Sequence, residues 1–143
     1  MRILVMNGPN LNLLGQREPG IYGSENYEYL CNLCKQHGEA KGAQVTCFQS
    51  NHEGDLIDMI HGAMGVYDGI VFNPGAYTHY SYALHDALKA VSVPCVEVHI
   101  SDIQAREEWR RISVTAPACV KQIWGMGLQG YLVAMDYFLE EQK

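Results

Sequence analysis

The chain has 143 residues, 48% of them hydrophobic and 18% charged, with ten Lys or Arg against sixteen Asp or Glu for a net charge of −6. That length fits one domain over residues 1–143 with a real core, and the composition excludes collagen-like, mucin-like and wholly disordered chains. The acidic balance argues against broad binding to nucleic acid or an anionic membrane surface, while leaving room for a local arginine to hold a small carboxylate.

In chain order, Arg2–Asn7 is a short apolar run stopped by Gly8-Pro9. It reads as a first strand rather than a signal peptide, because the apolar stretch ends too early. Ser24–Lys41 has helical spacing at Tyr27, Leu30, Cys31 and Cys34, with Ser24 as the expected N-cap and Gly42 as the stop. Ala43–Phe48 is a second strand, and Asp55–Met64 a helix with Leu56, Met59, Ile60 and Ala63 on one face. Gly69–Asn73 is apolar throughout until its last residue, as expected of a strand covered on both faces. Ser81–Ala90 is a helix, Val93–Val98 a fourth strand, Cys119–Trp124 a fifth, and Leu128–Glu141 the closing helix. No apolar run approaches the about 20 residues that cross a bilayer. Five cysteines without a framework spacing fit reduced thiols, and hence a cytoplasmic protein.

Strands alternating with helices predict an α/β domain with a mostly parallel sheet. Ligands of such sheets sit beyond the carboxyl ends of the strands. That rule singles out the loops Asn7–Gly23, Gln49–Glu53, Asn73–His79 and Glu97–Asp102, where the unusual polar residues also lie. The first is long for a strand-to-helix connection and holds Arg17 and Tyr22, either as a lid or as a surface excursion. Asn73 and His79 flank a Pro-Gly-Ala turn that a ligand could approach closely, or they simply turn the chain into the next helix. Glu97, His99 and Ser101 share one side of a strand by its period of two. A carboxylate beside an imidazole orients the ring and favours its charged form, which is what a general acid needs near neutral pH. Arg110 and Arg111 are either solvated charges or carboxylate anchors.

Other motifs carry less. Gly125-Met-Gly-Leu-Gln-Gly130 matches a dinucleotide fingerprint, but no βαβ unit can follow it, so it reads as a turn into the last helix. Cys31-Asn-Leu-Cys34 has no second half and lies within a helical pattern, and the histidines lack metal-binding spacing, so no metal site is expected. Lys35, Lys41, Lys89, Lys121 and Lys143 all fall outside the active loops, which disfavours imine chemistry. A flavin- or nucleotide-binding module of the same sheet class lacks a phosphate loop here. A receiver-type switch would need acids where Asn7 and Asn10 stand.

Taken in order, Asn7-Gly-Pro-Asn-Leu-Asn-Leu-Leu-Gly15, Arg17-Glu-Pro with Tyr22-Gly23, Asn73-Pro-Gly-Ala-Tyr-Thr-His79, Glu97-Val-His-Ile-Ser101 and Arg106-Glu-Glu-Trp-Arg-Arg111 resemble the type II 3-dehydroquinate dehydratases. The resemblance runs from Arg2 to about Leu139. It implies a flavodoxin-like, doubly wound sheet of five parallel strands with helices on both faces. It also implies a cofactor-free and metal-free dehydration of 3-dehydroquinate to 3-dehydroshikimate in the shikimate pathway, by dodecamers built from trimers. By motif, Tyr22 is the implied proton acceptor, Arg17 its supporting cation, His99 the proton donor oriented by Glu97, and Asn10 a stabiliser of the enolate. Asn73, His79, Ile100, Ser101 and Arg110 would hold the substrate, and Asp86 would reach a neighbouring subunit's site. Asp102, His85, Ile112 and Lys121 depart from residues common in the family, none at an implied catalytic position.

Overall fold

The computed structural model describes residues 1–16 and 25–141. Within them, strands β1 (Arg2–Asn7), β2 (Gln44–Gln49), β3 (Gly69–Asn73), β4 (Cys95–Val98) and β5 (Lys121–Ile123) form one sheet in the order β2-β1-β3-β4-β5. Every neighbouring pair is parallel. Helices α1 (Tyr27–Glu39), α2 (Glu53–Gly62), α3 (Tyr82–Ala90) and α4 (Gln129–Glu141) connect or follow the strands. This is the flavodoxin-like order, with its switch point between β1 and β3.

Alternation along each strand divides the core into two layers. Ile3, Val5, Val71, Val96 and Val98 face Leu30 and Cys34 of α1 together with Ala134, Met135 and Phe138 of α4. Leu4, Met6, Ile70, Phe72 and Cys95 face Leu56 and Ile60 of α2 and Leu84 and Leu88 of α3. The helices therefore cover both faces, and the central strands β1, β3 and β4 are apolar, apart from Arg2 and the polar Asn7, Asn73 and Glu97 towards their carboxyl ends, because neither side meets water. Among the described residues no helix is long and apolar enough to cross a membrane.

Element ends differ from expectation for local reasons. Helix α1 begins at Tyr27, capped by Asn26, whose side chain accepts the Tyr29 N–H at 2.8 Å; the expected cap Ser24 lies outside the described residues. Strand β4 begins at Cys95 rather than Val93, since Pro94 has no N–H to give the ladder and contributes only its carbonyl, to Ile70 N at 2.9 Å. Strand β5 shortens because the Cys119 N–H is taken by Ala116 O in a preceding 3-10 turn. Helix α2 starts two residues before the expected Asp55. Residues 125–128 make the turn into α4, with Gly125 and Gly127 at φ 76° and 60°, which glycine reaches without strain.

One buried contact ties the closing helix to the strand ends. Tyr131, fully buried, donates its hydroxyl to Asn7 Oδ1 at 2.6 Å and accepts from Asn73 Nδ2 at 3.0 Å. Asn7 and Asn73 end adjacent strands in register. Replacing Tyr131 with Phe leaves both amides short of a partner in a dry place. The expected loss is about 1–3 kcal/mol of stability, read as a lower urea midpoint with an unchanged slope.

Candidate active site

The carboxyl ends of β1, β3 and β4 converge on a cavity of about 150 Å³ lined by residues 9–11, by Asn73, Gly75, Ala76 and His79, by residues 99–101, and by Ile103, Arg106 and Arg110. Close approach of the loops after β1 and β3 makes it possible. A Cβ on Gly8 would sit 2.4 Å from the Pro74 carbonyl oxygen, while the Gly8 N–H donates to Asn73 O at 2.8 Å. Only a residue without a side chain allows that approach.

At the end of β3, Asn73 is held from both sides: its Oδ1 accepts the Gly75 N–H at 3.0 Å and its Nδ2 donates to Tyr131. One amide hydrogen is left for the cavity. His79 lies on the 3-10 turn Gly75–His79 and bonds Ile112 O through Nδ1 at 2.7 Å. A carbonyl only accepts, so Nδ1 carries the hydrogen and neutral His79 offers Nε2 as an acceptor. Burial lowers the His79 pKa below the usual imidazole value, and the neighbouring His99 and Arg110 oppose its charge further. Trp109 packs edge-on to His79 at 5.3 Å and carries the Arg110 guanidinium over its ring at 4.1 Å. Arg110 also donates through Nε to Glu107 at 2.5 Å, which fixes the plane of its fork.

The strongest electrostatic feature lies behind His99. Glu97 is fully buried, and its Oε2 accepts from His99 Nε2 at 2.9 Å, Ser113 Oγ at 2.8 Å and Gln122 Nε2 at 2.8 Å. Thr115 Oγ1 donates to Oε1, and Thr78 Oγ1 braces both hydroxyls, 2.7 Å from Ser113 and 2.8 Å from Thr115. Burial alone would raise the Glu97 pKa, but the hydrogen bonds from His99, Thr115 and Ser113 outweigh it and hold the carboxyl below its ordinary value. Nε2 of His99 is thereby assigned as a donor to Glu97, which leaves Nδ1 for other partners.

The cavity brings together Asn10, Asn73, His79, His99, Ile100, Ser101 and Arg110 of the residues singled out in the sequence, with Glu97 directly behind them. Asp86 is not among the lining residues; it stands on α3 with its side chain 82% exposed, 3.1 Å from His85 Nδ1. Arg17 and Tyr22 lie outside the described residues. Sequence reading passed over Thr78, Ser113, Thr115 and Gln122, and gave no role to Arg106, which lines the cavity. The signal available was weak: an alternating Ser113-Val-Thr115, and a glutamine inside the run Cys119–Trp124. Among the described residues no group of three or more His, Cys, Asp or Glu is disposed to hold a metal ion.

The Glu97 network makes stability depend on pH with a definite sign. The folded pKa is depressed, so the unfolded chain binds the proton first as pH falls, and the contribution present at neutral pH is lost on acidification through the carboxylate range. In Glu97→Gln that dependence disappears. Chemical denaturation from pH 7 down to pH about 3 should show the stability gap between wild type and variant narrowing as acid is added.

Comparison with known proteins places this geometry. The family model for Dehydroquinase class II matches residues 1–139. A 3-dehydroquinate dehydratase of Caldicellulosiruptor saccharolyticus is 57% identical over 141 residues, covering 98% of this chain and 97% of the relative. One of Clostridium beijerinckii is 53% identical over 136 residues, covering 94% and 93%. The crystal structure of type II dehydroquinase from Butyrivibrio crossotus superposes with a TM-score of 0.94 at 59% identity, covering 95% of each chain. With the strand-end cavity, the ordered motifs and these matches in agreement, the chain belongs to the class II dehydroquinase family of enzymes.

Proposed function

We propose that the chain, acting as one catalytic domain over residues 1–143, dehydrates 3-dehydroquinate to 3-dehydroshikimate in the shikimate pathway, by trans elimination through an enolate and without metal or imine. The observation that carries this reading is the Glu97–His99 couple opening on a cavity that also holds Asn73, His79 and Arg110, in a chain of this family.

The reaction removes a proton next to a ketone and expels a β-hydroxyl as water. Tyr22, as phenolate, takes the proton, and the electron pair moves into the carbonyl to give an enolate whose oxygen meets Asn10. The enolate then collapses with loss of the hydroxyl, which accepts a proton from His99. Glu97 keeps Nε2 of His99 occupied, so the transferred proton is the one on Nδ1. Arg110, with its plane set by Glu107 and Trp109, pairs with the substrate carboxylate. His79 in its neutral form accepts a substrate hydroxyl hydrogen, and Asn73 with the Ile100 and Ser101 backbone N–H groups completes the seat. Bringing an ordinary phenol to neutrality requires about 4 kcal/mol in favour of phenolate. A supporting cation, the part that the family motif gives Arg17, supplies that only where water is excluded, which would give the loop through Gly23 the part of a lid. No lysine lines the cavity among the described residues, which supports a route without an imine. By the same family resemblance the chain would act in the cytoplasm as a dodecamer of trimers, with Asp86, exposed on α3, reaching a neighbouring copy.

An ultraviolet assay for the conjugated enone formed from 3-dehydroquinate tests the activity, with borohydride added in a parallel sample. Turnover unaffected by borohydride is expected, and borohydride inactivation would bring a lysine into the reaction. Tyr22→Phe should lower kcat by about 100-fold or more while substrate still binds. Arg110→Ala should act chiefly on KM.

A further inference from the structure

Asn10 holds an unusual backbone conformation. At φ 71° and ψ −5° it is left-handed, the one non-glycine residue with positive φ among those described. That region is unfavourable for L-residues, and although asparagine tolerates it better than most, something must hold it there. Its own side chain does not, since it makes no capping bond to the 3-10 turn Leu11–Leu13 that follows.

The restraint comes from the end of β2. The Asn10 N–H donates to Asn51 Oδ1 at 2.9 Å. Gln49 donates through Nε2 to the same Oδ1 at 3.0 Å and to Gly8 O at 3.1 Å, with Asn12 Oδ1 further off at 3.4 Å. Tyr77 donates its hydroxyl to the Asn51 carbonyl at 3.1 Å. Register makes this possible: Gln49 stands opposite Asn7, so residues just past the end of β2 lie beside the loop that leaves β1. Neither Gln49 nor Asn51 lines the cavity, whereas Asn10 does.

We infer that Gln49 and Asn51 are positioning residues, which lock Asn10 in its left-handed turn so that its carboxamide is presented to the reacting oxygen. The inference rests on the dehydratase reading for what Asn10 does, and on the hydrogen bonds for how it is held. Asn51 is exposed, so cutting its side chain back opens no core, and the effect belongs in turnover rather than folding.

The test is a kinetic cycle. Asn51→Leu removes the acceptor at similar size, and should lower kcat roughly ten-fold, with KM held within about two-fold, because misplacing a catalytic group acts on the transition state. The melting temperature should stay near that of wild type. Asn51→Asp keeps an acceptor for the Asn10 N–H, and should restore kcat to within about three-fold of wild type. Gln49→Leu should act in the same direction as Asn51→Leu. In an Asn10→Gly background, where the carboxamide is gone and the backbone is relaxed, Asn51→Leu should cause no further loss. An unchanged kcat in Asn51→Leu, or an equal loss in the Asn10→Gly background, overturns the inference. Should the wild type prove inactive on 3-dehydroquinate, the dehydratase reading fails and the clamp is decided by the Asn10 amide resonance. Movement of that resonance in Asn51→Leu, with core resonances in place, supports the clamp; a stationary one overturns it.

Discussion

A single carboxylate sets the terms for this site. Glu97 sits at the end of a central strand with no access to water, where an unpaired charge would be prohibitively expensive. It is tolerable because four side chains from three separate stretches of chain give it hydrogens: His99, Ser113 with Thr115, and Gln122. The demand runs outward from there. Ser113 and Thr115 must be brought over β4 by the irregular segment before β5, Thr78 must brace them, and β5 must run parallel to β4 so that Gln122 falls beside Glu97. An imidazole held by such a group has one free nitrogen and little freedom to turn, which suits directed proton transfer.

Much of this could be read from the amino-acid order, and the reasons differ by residue. Strands β1 and β3 were plain because both their faces are buried and their runs end at a polar residue followed by Gly-Pro or Pro-Gly. The pairing of Glu97 with His99 followed from the period of two, a local property. Helix α1 began later than its first candidate cap suggested, since Asn26 offers the same side-chain acceptor nearer to the apolar face. Strand β5 was overdrawn at its start, because the Cys119 N–H is taken by Ala116 O in the preceding turn. What stayed hidden were the long-range partners. Nothing near Ser113, Thr115 or Gln122 announces a carboxylate sixteen to twenty-five positions away. Only the crossover that sets β5 beside β4 brings them together.

The site divides between two kinds of support. His99, Asn73 and Glu97 stand at or just past strand ends whose positions the whole sheet determines. Asn10, His79 and Arg110 stand on short 3-10 turns or the loops beside them, each held by a few specific contacts: Asn51 for the first, Ile112 for the second, Glu107 and Trp109 for the third. A sheet supplies precision through cooperativity, whereas a turn depends on its individual bonds. Substitutions at Asn73 and Glu97 therefore cost stability as well as activity, whereas those at the turn positions chiefly blunt the protein.

The hydroxyl shared by Asn7 and Asn73 has a consequence for how the molecule is made. Tyr131 lies on the last helix, 124 positions after Asn7. A ribosome-bound fragment ending ahead of Gln129 would already contain the cavity-lining residues described above, yet its first and third strands would finish on two amides with no phenol between them. The ends of β1 and β3 are thus completed only when α4 docks on the sheet, so this side of the pocket and that helix form together.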